Sequence, residues 1–193
     1  MITVIQTKSL AAVVALVASL SIITPAAAHS TSETQSAASL SVVMDFLSNT
    51  APDKVEAAAQ RLVAPDATYI SLNFDNLELK KILPWTGTYK GPEAYSYTFL
   101  RVANYWEIED FTVTDKIASG EDVAIFGKFT YRSVTVGQAF TSPFSIHAKV
   151  RDGKITYFQF MEDTYASSAS FRQSGSWIVK TTQDIAPFRA GAE

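Results

Sequence analysis

The chain has 193 residues, 47% of them hydrophobic, and a formal net charge of −3. A nucleic-acid surface needs a clustered basic field, and here the lysines and arginines are scattered, so no nucleic-acid partner is expected. Cysteine is absent and His29 and His147 are the only imidazoles, which removes disulfides, thiolate metal sites and cysteine nucleophiles; a carboxylate-only site for a hard cation stays open, but with neither calcium-loop spacing nor a Gly-rich cofactor loop no metal or cofactor is expected.

Lys8 is the only charge before an apolar run over residues 10–23, followed by Pro25 and three alanines. A basic start, an apolar core and an Ala-x-Ala end predict a secretory signal peptide over residues 1–28, cut before His29. The run is short of the roughly 20 residues that span a bilayer, and no later segment is apolar for longer. The expected location is the periplasm of a bacterium or the exterior. Residues 29–39, rich in Ser, Thr, Gln and Ala, read as a flexible leader.

Helical spacing begins at Leu40, with Val43, Met44 and Leu47. A second helix over 55–63 places Val55, Ala58, Ala59 and Leu62 on one face. Residues 67–73 read as a strand, 76–85 as a turn of helix or a flap, and 86–90 as a short strand. Gly91-Pro92-Glu93 starts a helix reaching Asn104, with proline in the first turn and an acid beside it. Strands follow over 107–117, 123–132 and 138–151; Pro143 in the last of these predicts an edge position or a bulge.

Asp152-Gly153 then lies between two alternating stretches, which predicts a hairpin closed by a tight turn. If Arg151 pairs with Lys154 and alternation continues, Phe144, Ile146, Ala148 and Val150 share an inner face with Ile155, Tyr157, Gln159 and Met161. Phe158 and Phe160 then point outward, and such an aromatic patch predicts a homodimer through that face. A short helix over 164–171 and an extension over 173–193 complete the chain. Helices first and a strand meander afterwards mean α+β, with helices packed on one side of a strongly curved antiparallel sheet that encloses a hollow.

Four motifs in this order carry a family resemblance: Pro65-Asp66-Ala67-Thr68, the run from Pro84 through Trp85 to Gly91, Asp152-Gly153-Lys154-Ile155, and Glu162-Asp163-Thr164. Over residues 40–172 the chain resembles the nuclear transport factor 2 superfamily, and within it the SnoaL-like polyketide cyclases and ketosteroid-isomerase relatives. The resemblance implies a cone-shaped barrel, dimeric in most members, with an apolar pocket. Its members include isomerases, cyclases, dehydratases, epoxide hydrolases and plain binding domains, so fold alone does not assign chemistry. The carboxylate base of the ketosteroid isomerases falls near Ser71, their tyrosine near Phe46 or Leu47, and their protonated aspartate on Ile146. None of these residues can do that work. The Asp-Arg-Asp set of the epoxide hydrolases has no match. The cyclases draw an acid/base from the last strand, where Glu162 and Asp163 lie.

On the alternating register Asp163 reaches the pocket as the general acid or base, with Tyr69 and Asn73 as partner groups. The competing reading is that Asp163 caps the helix starting at Thr164. Ser71, Trp85, Tyr97, Ile146, Tyr157, Gln159 and Met161 are the expected ligand contacts, and His147 faces away. Two functions stay open: a cofactor-free isomerase, cyclase or lyase for a small apolar carbonyl compound, or an exported module that binds an apolar ligand unchanged. The export reading predicts that mass spectrometry of protein from its native host finds a first residue at or near His29. An intact Met1 on soluble material contradicts it.

Overall fold

The structure, a computed structural model, describes residues 25–191. Most of the expected signal peptide lies outside the described residues. Helix α1 spans Pro25–Leu47, so it takes in the stretch that reads as a flexible leader. The reason is a tertiary anchor. Ser39 is fully buried and its hydroxyl donates to the Gly120 carbonyl at 2.8 Å, while the Gly120 N–H donates to the Ser36 hydroxyl at 2.9 Å. Two serines at helical spacing thus satisfy both backbone groups of one turn glycine. No described helix is long and apolar enough to cross a membrane.

Helix α2 (Val55–Leu62) buries Val55, Ala58, Ala59 and Leu62, as its spacing predicts, and runs without a loop into β1 (Val63–Ser71). Next come α3 (Leu77–Ile82), capped by the Asn76 side chain, and β2 (Gly87–Lys90). Helix α4 (Pro92–Tyr105) follows Gly91, which has a φ of 81°. The long strands are β3 (Trp106–Ser119), β4 (Asp122–Ser133), β5 (Ala139–Arg151) and β6 (Lys154–Glu162). Helix α5 (Thr164–Ala169) and a small separate hairpin, β7 (Trp177–Val179) and β8 (Phe188–Ala190), end the described chain.

The six main strands form one curved sheet in the order β2-β1-β6-β5-β4-β3. The α+β cone is the expected architecture, with one correction. The sheet is mixed, because β1 runs parallel to β6. Strand β6 slots between the β1–β2 pair and the β3–β4–β5 meander, and its direction is set by the tight hairpin with β5. Pro143 lies one residue beyond the last β5–β6 pair, Phe144 with Glu162, where β5 has no neighbour on that side. It still pairs with Lys128 of β4 and β5 is an interior strand, so the proline stands at the end of one ladder and not at the expected sheet edge or bulge.

The β5–β6 turn forms as predicted: Asp152 and Gly153 have φ of 51° and 71°, and Arg151 pairs with Lys154 and Val150 with Ile155. One step later the register shifts. Lys149 pairs with Tyr157, so Ile155 and Thr156 together oppose Val150 in a bulge. An extra residue moves every later side chain to the other face. Ala148 now pairs with Phe158, Ile146 with Phe160 and Phe144 with Glu162. The expected inner set of Tyr157, Gln159 and Met161 is therefore on the outer face. Phe158 is fully buried, stacked on Tyr69 at 5.6 Å and edge-on to Phe46 at 5.9 Å. The homodimer expected through Phe158 and Phe160 loses its aromatic contact, since neither ring lies outside.

Gly127 of β4 shows how tightly the inner face is filled. Phe111 and Phe144, on the flanking strands, stack at 4.6 Å, and a Cβ on Gly127 would run into the Phe144 ring and the Thr112 carbonyl. Gly127→Ala should therefore lower stability by about 1–3 kcal/mol, the usual cost of overpacking. Urea unfolding that gives the same midpoint for the variant and the parent chain would refute this packing.

Candidate functional site

A cavity of about 370 Å³ lies between α4, the loop after α1 and the concave face of the sheet. That is the small end of the range for ligand sites. Its walls are chiefly apolar: Trp85 and Trp106 meet edge to face at 4.9 Å, with Phe99 from α4, and Phe111 and Phe160 from the sheet. Three strands deliver polar groups to it. Tyr69 and Ser71 alternate inward on β1, Tyr131 comes from β4 and Glu162 from the last position of β6.

Glu162 is the one carboxylate among the described residues that line this cavity. Its Oε1 atom is buried and has no hydrogen-bond partner among the described residues. Burial pushes its carboxyl up to about 7; the Ser167 hydroxyl works against that rise and the neighbouring Asp163 adds to it. Desolvation penalises the charged form, and at this value either protonation state is accessible near neutral pH. Burial also pushes the Tyr69 and Tyr131 phenols well above the ordinary tyrosine range, and the Glu162 charge raises both further. Both phenols therefore stay protonated and remain hydrogen-bond donors. A carboxyl poised between its two forms, close to two fixed O–H donors in a largely apolar chamber, can move a proton and steady an oxyanion.

The residues expected from sequence divide sharply. Tyr69, Ser71 and Trp85 line the cavity. Asn73 lies past the end of β1 and outside the lining; its buried Oδ1 has no hydrogen-bond partner among the described residues. Asp163 is exposed and accepts hydrogen bonds from the Tyr165 and Ala166 N–H groups, each at 3.0 Å, so it caps α5. Ile146 is packed into the core. Tyr97 is 41% exposed with the Arg101 guanidinium 4.9 Å from its ring centre. On the outer face Tyr157 donates to Gln159 at 2.8 Å and Met161 pairs with Ser145. His147 also faces outward, as expected, beside Asp122 at 2.9 Å.

The bulge accounts for the displaced residues on β6. Glu162, Tyr131 and Phe160 were not among the expected contacts. A signal for them exists in the sequence: Phe158 and Phe160 are the bulkier apolar pair on β6, and putting them inward carries Glu162 inward with them.

Residues 43–158 match the model of the SnoaL-like domain family. The chain is 41% identical over 131 residues to patulin synthesis protein F of Aspergillus clavatus, and 39% identical over 131 residues to patulin biosynthesis cluster protein F of Penicillium expansum. Each match covers 66% of this chain and 66% of the relative, just under two thirds of the relative's length. Among solved structures, a nuclear transport factor 2-like protein from Burkholderia xenovorans superposes with a TM-score of 0.60 at 20% identity, covering 71% of this chain and 98% of that one. That likeness is one of fold.

The Glu162 environment makes stability depend on pH. Its carboxyl titrates at about 7 in the folded chain against 4.5 for the free group, so between those values the folded chain holds a proton that the unfolded chain releases. Stability then falls as pH rises through this window, by about 3 kcal/mol in all, and no further above it. Thermal unfolding followed from about pH 5 to about pH 8 should show this decline, and Glu162→Gln should remove it. A Glu162→Gln variant with the same pH slope as the parent contradicts the assignment.

Proposed function

The chain belongs to the SnoaL-like domain family, and from that premise we propose that it is a cofactor-independent isomerase, cyclase or lyase acting on a small apolar carbonyl compound. The observation that carries this reading is Glu162: a carboxyl balanced near neutrality on the wall of an apolar cavity, with the Tyr69 and Tyr131 phenols sharing its field. The ionised carboxylate takes a proton from the carbon next to the carbonyl. The C–H electron pair moves into the new C=C bond, the carbonyl π pair moves onto oxygen, and a phenol O–H donates to that oxygen. The protonated Glu162 then returns its proton: to another carbon in an isomerisation, to the alkoxide formed when the enolate carbon adds to a second carbonyl in a ring closure, or to a departing oxygen in an elimination.

The relatives' names tie them to patulin synthesis, which supports chemistry on a small metabolite here. Glu162 takes the acid/base role first expected of Asp163, whose carboxylate is engaged by two backbone N–H groups. The second reading, a module that binds without turnover, is favoured by the state of the steroid-isomerase positions: Phe46 and Ile146 are buried core residues. We also propose export. Cleavage before His29 leaves Ser36 and Ser39 in place on Gly120.

The test is a panel of enolisable carbonyl compounds assayed with three forms of the protein. Glu162→Gln should lower kcat by about 10²–10⁴, the usual contribution of a general acid–base group. Asp163→Asn should leave turnover within about twofold, because asparagine caps a helix nearly as well. Full activity in Glu162→Gln, or a ligand that co-purifies and is recovered unchanged with no turnover of any panel member, overturns the catalytic reading.

A further inference from the structure

A second hollow lies where α3, α5 and β7 meet, an open groove of about 680 Å³ that shares no lining residue with the cavity among the described residues. Leu79 and Ile82 of α3 make one side apolar. Tyr165 and Trp177 stand at the other, their rings edge to face with centroids 5.2 Å apart. Trp177 is 60% exposed, although it sits in a paired strand. Much of the groove comes from residues 164–177, beyond the stretch that matches the SnoaL-like domain.

The polar groups of the groove are not balanced. Its charged side chains are Glu78, Lys81 and Arg172. Lys81 is paired with Glu78 at 2.6 Å, while Arg172 has no ion pair among the described residues. Ser168, four residues earlier, also lines the groove, and its Oγ is buried without a hydrogen-bond partner among the described residues. A buried hydroxyl left unpaired is costly, and a guanidinium offers a planar fork of donors that fits a carboxylate. The net charge of the lining is one positive unit, which calls for a monoanion.

We infer that this groove is a second binding site, for a small aromatic carboxylate. The carboxylate lies on Arg172 and the Ser168 hydroxyl, and the ring packs against Trp177 and Tyr165. Aromatic faces and edges favour such stacked or edge-on contacts over purely aliphatic ones. The site is independent of the chemistry proposed for Glu162.

Benzoate is the probe, with benzamide as its neutral counterpart, and the readout is the amide and indole N–H spectrum of the full chain. Benzoate should shift the Trp177 indole signal in a saturable way. Benzamide should bind at least about tenfold more weakly, and Arg172→Gln should weaken benzoate by about tenfold or more. Trp177→Ala changes an exposed ring, leaves the fold intact and should weaken benzoate as well, while Glu162→Gln should not. The inference is overturned if millimolar benzoate shifts nothing, if benzamide binds equally well, or if the shifts fall on Trp85 and Trp106 and vanish in Glu162→Gln.

Discussion

The extra residue in β6, where Ile155 and Thr156 together face Val150, is the constraint on which the rest of the molecule depends. Without it the strand would present Tyr157, Gln159 and Met161 to the interior and leave two phenylalanines in water. With it, Phe158 becomes the centre of the aromatic core, touching Phe46, Tyr69 and Tyr95 at 5.6–5.9 Å. The choice is energetic. Burying two phenylalanine rings is worth several times the disruption of one ladder position, at roughly 2–3 kcal/mol per large apolar side chain. The register that satisfies the core also carries a glutamate indoors.

That glutamate sits in a position that stability alone would not select. A carboxyl stripped of water and lacking a hydrogen-bond partner at one oxygen costs free energy whenever it ionises. The surrounding rings make the cost bearable by contributing dispersion and area burial on every side. Phe144 and Phe160 stack at 5.5 Å directly beneath the site, and Trp85 and Trp106 close another wall. The same rings exclude water, which keeps the carboxyl near neutrality. Core packing and proton chemistry thus draw on one set of residues.

Much of this was legible in the sequence. The spacing of Val55, Ala58, Ala59 and Leu62 placed α2 correctly, Pro92 placed the start of α4, and Asp152-Gly153 fixed both the turn and its first two pairs. The α+β cone and its family followed from the order of elements. What failed did so for two physical reasons. Alternation is a local rule, and a bulge is decided by what the far side of the sheet needs, so Glu162 and Asp163 exchanged the roles a straight strand would give them. Serine-rich composition reads as flexible because nothing local orders it. The partner that makes Ser36 and Ser39 helical, Gly120, lies 84 and 81 residues away. The parallel β1–β6 pair was hidden in the same way, since no local pattern reports which distant strand a segment will adjoin.

The placement of β6 also has a consequence in time. It is the last of the six main strands along the chain, yet it lies at the centre of the sheet, between β1 and β5. During synthesis the β1–β2 pair and the β3–β4–β5 meander can each form early, because their contacts are between neighbours in sequence. They cannot be joined until residues 154–162 emerge, and the joining pair, β1 with β6, closes the longest loop in the sheet. Until that moment the chamber cannot close, because Phe160 and Glu162 of β6 form part of its wall. The strand that completes the core also completes the cavity and carries the acid, so Glu162 gains its buried setting only together with them.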